Sequence, residues 1–129
     1  MIFGFDFGTK KIGIAKGQTV TQTASPLTTL KTIDGNPNWQ EISKLINQWQ
    51  PQAFVVGYAL NEDQTESITA KKSKLFGDAL SQRYNRPVYY VDEYLTSFEA
   101  RLLAKEKSLD RNHLDAIAAM LILEAWLKK

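Results

Sequence analysis

Cysteine is absent from these 129 residues, histidine occurs once, at His113, and no apolar run approaches the length needed to cross a bilayer. The first absence excludes disulfides, thiolate catalysis and Cys-ligated zinc. The second leaves no His-rich metal site and no Ser-His-Asp triad that the sequence can assign. The opening Met1-Ile2-Phe3 carries no basic segment and runs straight into Asp6, so no secretory signal is expected. The expectation is a cytoplasmic protein with no membrane partner. An excess of one charge is also lacking: 16 Lys and Arg against 14 Asp and Glu leave a net charge of +2, so any case for nucleic acid must rest on where the lysines lie. What remains available for chemistry is the carboxylates.

With 43% hydrophobic residues and no repeat, linker or low-complexity tract, residues 1–129 are expected to form one domain. The first thirty residues predict three strands of an antiparallel meander, turning at Gly8-Thr9-Lys10-Lys11 and again at Lys16-Gly17-Gln18. Trp39, Ile42, Leu45, Ile46 and Trp49 recur at helical spacing, with Asn38 and Glu41 placed as a near-match to a capping box. Ala53 to Tyr58 reads as a strand. A second long helix is marked from about Thr65 by Ile68, Leu75, Phe76, Ala79, Leu80 and Tyr84. Pro87 to Val91 is a further strand, Thr96 and Glu99 cap a third helix, and a final helix runs from about Leu114 to Leu127. The order β-β-β-α-β-α-β-α-α predicts an α/β protein with a five-stranded mixed sheet covered by helices on both faces, the order of the ribonuclease H-like fold.

Three acidic positions fall on apolar elements. Asp6 ends the run Ile2-Phe3-Gly4-Phe5, Asp92-Glu93 follows Val88-Tyr89-Tyr90-Val91, and Asp115 sits inside an apolar helix. An ionised carboxylate in such a setting must be solvated, paired or bound to a cation. Their convergence suggests a site for hard divalent ions such as Mg²⁺. Each has a plainer reading too. Asp6 suits the Gly8 turn, Asp115 gains ~0.3–1 kcal/mol from the dipole of its helix, and Asp92-Glu93 suits a strand-end turn. Strand alternation sends Asp92 and Glu93 to opposite faces, so only one of them shares the site. Small Ala118 and Ala119 beside Asp115 favour the site, because they let that helix lie close to a sheet carrying other acids.

Four segments stand out together: Phe5-Asp6-Phe7-Gly8-Thr9-Lys10-Lys11-Ile12-Gly13-Ile14-Ala15, Val55-Val56-Gly57-Tyr58-Ala59-Leu60-Asn61, Asp92-Glu93-Tyr94-Leu95-Thr96-Ser97-Phe98-Glu99-Ala100, and Asp115-Ala116-Ile117-Ala118-Ala119 with Ile122-Leu123-Glu124. They resemble the YqgF/RuvX family of bacterial Holliday junction resolvase-like and pre-16S rRNA processing nucleases. The resemblance spans the whole chain. It implies a metal-dependent phosphodiester hydrolase whose catalytic and metal-binding acids fall on Asp6, Glu93 (with Asp92 as the alternative) and Asp115. It also implies two Mg²⁺ or Mn²⁺ ions about 3.5–4 Å apart, activating water on one side of a phosphodiester and stabilising the leaving oxygen on the other. Products would carry 5′-phosphate and 3′-hydroxyl ends. The favoured substrate is the 5′ end of precursor 16S rRNA. The alternatives are a branched DNA junction, or a non-catalytic nucleic-acid or ribosome-associated module of the same fold. A junction resolvase needs two sites and hence a homodimer, whereas RNA trimming can be done by a monomer. Tyr94 stands where the family has Arg, removing a phosphate-binding fork. The loop after Gly57 also departs from the family's Gly-Leu-Pro-Leu.

Lys10 and Lys11 follow Asp6 closely enough to meet a phosphate and are the expected nucleic-acid contacts. Lys71, Lys72 and Lys74 read as a solvated helix face, Trp39, Trp49 and Trp126 as core packing, and His113 as structural. An actin-like or sugar-kinase ATPase also opens on an Asp-x-Gly-Thr turn. Such proteins enclose nucleotide between two domains, and this chain has room for one.

Overall fold

The computed structural model of the chain describes residues 1–58, 67–92 and 114–128. Glu93, Tyr94, the helix expected from Thr96 and His113 lie outside the described residues. The described elements are β1 (Ile2–Phe7), β2 (Lys11–Gln18), β3 (Thr23–Lys31), α1 (Trp39–Trp49), β4 (Ala53–Tyr58), α2 (Ile68–Tyr84), β5 (Val88–Asp92) and α3 (Leu114–Leu127). They build one five-stranded sheet in the order β3-β2-β1-β4-β5. β1 pairs antiparallel with β2 and parallel with β4, β2 is antiparallel to β3, and β4 is parallel to β5. The expected mixed sheet is therefore present. Among the described residues no helix is long and apolar enough to cross a membrane.

Strand alternation divides the apolar residues between two cores. Phe3, Phe5, Ile12, Ile14, Phe54 and Val56 project to one face and pack with Ile42 and Ile46 of α1 and with Phe76 and Leu80 of α2. Rings dominate this side: Phe76 stacks on both Phe7 and Trp39, at centroid distances of 5.0 and 5.6 Å. The other face carries Ile2, Ala15, Ala53, Val55 and Val91 beneath α3, whose residues Ala116 to Leu123 are all buried. Each Leu or Ile buried there contributes about 1.5–3 kcal/mol relative to exposure.

The capping of α1 follows the sequence, since the Asn38 side chain accepts from the Glu41 N–H at 3.3 Å. Two expectations are corrected. The turn placed at Lys16-Gly17-Gln18 lies inside β2, and the chain turns at residues 19–22 instead. Gly17 is small because a Cβ there would meet Leu123 and Leu127 side chains at 2.8 and 3.2 Å, so it accommodates α3. In α2 the buried stripe is Ala70, Ser73, Phe76, Gly77 and Leu80, whereas Ile68 and Leu75 are 75% and 68% exposed. The reason is Tyr90 of β5. Its ring lies where a Cβ on Gly77 would be, so the small residues of α2 face the sheet and two large ones turn outward.

The Tyr90 hydroxyl shares its proton between the Asp78 carboxylate at 2.7 Å and the Lys74 carbonyl at 3.0 Å, tying α2 to β5. Burial, the hydrogen bond to Asp78 and the Asp78 charge all push this phenol upward from its ordinary value of 10.0. Above that pH the unfolded chain releases the proton while the folded chain keeps it, so stability falls as pH rises. Tyr90→Phe is expected to cost about 1–2 kcal/mol at neutral pH. The gap between wild type and variant should narrow as pH climbs past 10, as measured by urea unfolding across that range. A gap that widens would contradict the assigned tie.

Candidate functional site

Because β1, β4 and β5 run parallel, their C-terminal ends share one edge of the sheet, the edge at which α/β proteins bind ligands. Asp6 is one residue from the end of β1, and Asp92 ends β5. The turn carrying Lys10 and Lys11 leaves from the same edge. It is fixed from two sides: the Gly8 N–H donates to the Lys11 carbonyl at 3.0 Å, and Thr32 donates its N–H to the Lys10 carbonyl at 3.0 Å and its hydroxyl to the Thr9 carbonyl at 2.6 Å. Both lysine side chains are exposed. They stand as cations on a held backbone a few residues beyond Asp6, the arrangement expected of phosphate contacts that position without reading sequence.

Asp6 pairs in register with Gly13 across β1 and β2, so both project to the α3 face. An ideal Cβ on Gly13 would lie 1.8 Å from the Asp115 carbonyl oxygen and 2.9 Å from the Ala116 nitrogen. The first turn of α3 therefore rests directly on the strand position beside Asp6. A second close approach further along, where a Cβ on Gly4 would lie 3.0 Å from the Ala119 carbonyl oxygen, holds the helix flat against β1. Asp6 and Asp115 are both partly buried. The Asp115 backbone thus lies over the strand position next to Asp6, on the face of the sheet to which Asp6 projects.

Asp92 goes elsewhere. Its register partner Tyr58 lies under the Lys74 ammonium, which sits 4.9 Å from the ring centroid, so this pair faces α2. Tyr89, of opposite parity, packs on Trp126 of α3 at 5.0 Å. Asp92, the alternative ligand, is thus on the face opposite Asp6. Glu93 lies outside the described residues.

Among the described residues no group of three or more His, Cys, Asp or Glu gathers as a metal cage. The donors that Asp6 and Asp115 carry are carboxylate oxygens, the type that suits hard divalent cations. The lysines 71 and 72 are exposed as expected, and the three tryptophans pack against other side chains. Gly13 is the position that the reading for acids passed over. Its signal was a glycine inside a strand pattern, which marks close approach of another backbone.

A model of the RuvX family, described as Holliday junction resolvase, matches residues 1–129. A relative from Aeromonas salmonicida named "Putative pre-16S rRNA nuclease" is 46% identical over 132 aligned positions, covering 99% of this chain and 94% of the relative. One of the same name from Nitrosococcus oceani is 46% identical, covering 98% and 86%. Among solved structures, RuvC of T. thermophilus in complex with a Holliday junction substrate superposes with a TM-score of 0.56 at 19% identity, covering 98% of this chain and 94% of that one. The fowlpox virus Holliday junction resolvase gives 0.57 at 17%, covering 98% and 97%. At these identities the structural likeness is one of fold, the ribonuclease H-like fold expected from the element order. The sequence matches reach further: this chain belongs to the RuvX family.

Proposed function

We propose that the chain is a divalent-metal-dependent nuclease that processes the 5′ end of precursor 16S rRNA in the cytoplasm, with residues 1–129 acting as one ribonuclease H-like domain. The observation that carries this reading is the seating of the Asp115 backbone on Gly13, the register partner of Asp6. Asp6 and Asp115 would hold the Mg²⁺ or Mn²⁺ ions, two per site, and Glu93 would complete the set. Asp92 is set aside because it faces α2. When bound, the ions supply an activated water and neutralise charge on the scissile phosphate. Lys10 and Lys11, on their braced turn, hold the flanking phosphates and orient the strand. The choice of RNA follows the names of the relatives. A four-way DNA junction is the second reading, favoured by the description of the family.

The test is incubation of purified protein with the 5′ precursor of 16S rRNA and, separately, with a four-way junction. Each is run with Mg²⁺, with Mn²⁺ and with chelator. Cleavage of the RNA is expected with either metal and none with chelator. Glu93→Gln should lower the rate far more than Asp92→Asn. Cleavage that survives rigorous chelation would overturn the metal mechanism, and the reverse ranking of the two variants would move the ligand to Asp92.

A further inference from the structure

A groove of about 470 Å³ opens on the α2 side of the same sheet edge. Phe7, Trp39, Leu75 and Phe76 supply its apolar walls, with Thr9 and Lys72 among the polar lining. The size lies within the range of sites that take small organic groups. Its floor is rigid. Phe7 and Trp39 both stack on Phe76, and the connection from β3 to α1 that closes one end is pinned by paired hydrogen bonds between Ile33 and Asn36, at 2.8 and 2.9 Å.

Two features identify the occupant. The first is charge: among the described residues no acidic side chain lines the groove, Lys72 does, and the Arg83 guanidinium lies 4.2 Å from the ring centroid of Trp39, one of its walls. The second is continuity, since Thr9 and Phe7 belong to the segment joining Asp6 to Lys10 and Lys11. A polymer with phosphates at those lysines has its next residue beside the groove. An apolar slot with a cationic rim suits a flat ring on an anionic backbone, the pattern of single-strand nucleic-acid binding. A base inside a duplex is stacked on both faces by its neighbours and has none free to offer. Leu75, 68% exposed, is the most exposed of the large apolar residues that line the groove.

We infer that this groove takes an unpaired base of a single-stranded extension next to the scissile phosphate, so that the enzyme acts where a paired region meets a single strand. This rests on the nuclease reading and deepens it. The measurement is fluorescence anisotropy of a labelled single-stranded RNA and of the same sequence as a duplex, in chelator so that no cleavage occurs. Leu75→Glu should weaken single-strand binding about tenfold or more, the scale of one stacked base. It should leave duplex binding within about twofold. Leu75→Phe should retain or tighten single-strand binding.

Equal single-strand affinity of Leu75→Glu and wild type overturns the inference. So does equal loss on both probes, which marks a general charge effect. A concentration-dependent dimer that Leu75→Glu dissociates overturns it as well, because the groove is then a contact between copies. Because binding is read without turnover, wild type that binds single strands but cleaves nothing refutes the nuclease reading and leaves the groove standing.

Discussion

Replacing Asp6 with Asn should lower metal-dependent cleavage by more than about 100-fold while leaving the metal-free fold within about 1 kcal/mol of wild type. The lower bound comes from partners that merely orient a metal ligand, whose loss typically costs 10–100-fold; a direct ligand should exceed it. The stability expectation comes from the setting. Asp6 ends the apolar stretch of β1 at the edge where Asp115 also arrives, so removing one negative charge there relieves repulsion in the absence of cations. Thermal stabilisation by Mg²⁺ or Mn²⁺ should shrink in the variant, because a ligand that binds only the folded state stabilises by mass action. Melting curves with metal and with chelator, for both proteins, read all of this without any substrate. A sharp loss of stability in chelator would instead make Asp6 a structural brace of the Gly8 turn.

The second large effect belongs to a residue with no functional group. At Gly13 a methyl group would sit 1.8 Å from the Asp115 carbonyl oxygen, so the first turn of α3 must retreat by more than about 1 Å to reach even a tight contact. Misplacement of that order in catalytic geometry costs about 100-fold in rate. Gly13→Ala should therefore lose about that much cleavage, together with the 1–3 kcal/mol typical of overpacking, or about that range. The metal response separates the two consequences. If Gly13 sets the distance between Asp6 and Asp115, the variant should need more Mg²⁺ or Mn²⁺ for half-maximal thermal stabilisation. If it matters only for packing, the melting temperature falls and the metal dependence stays put. Gly4→Ala, which presses α3 at Ala119 rather than at Asp115, is the matched control.

Much of this was legible in the residues. The strand runs, the Asn38 cap, the parity of the apolar positions and the bounds of the final helix follow from local pattern, because each is decided by neighbours in sequence. Asp6 and Asp115 stood out as candidates because a charge among apolar residues is costly wherever it lands. What local pattern could not supply was the tertiary partner. Gly17 looked like a turn until Leu123 and Leu127 occupied its missing side chain. Leu75 looked like core until Tyr90 claimed the space over Gly77, leaving the leucine at the surface. Asp92 and Glu93 were separable in principle, since alternation assigns them to different faces, but naming the faces required Tyr58 and Tyr89 to be seen against Lys74 and Trp126.

The seating of α3 on Gly13 also has a meaning in time. A chain emerging from the ribosome can close the β1–β2–β3 meander early, since those contacts are local. The surface that receives Asp115 then waits for the roughly eighty further residues between Lys31 and Asp115 to be made. Long-range closure of this kind is slow to form. Asp6 and the lysine turn are thus displayed on the nascent chain well before their partner arrives. If Asp6 and Asp115 share the proposed site, the nascent protein carries half of it in waiting, and cutting begins only once α3 docks.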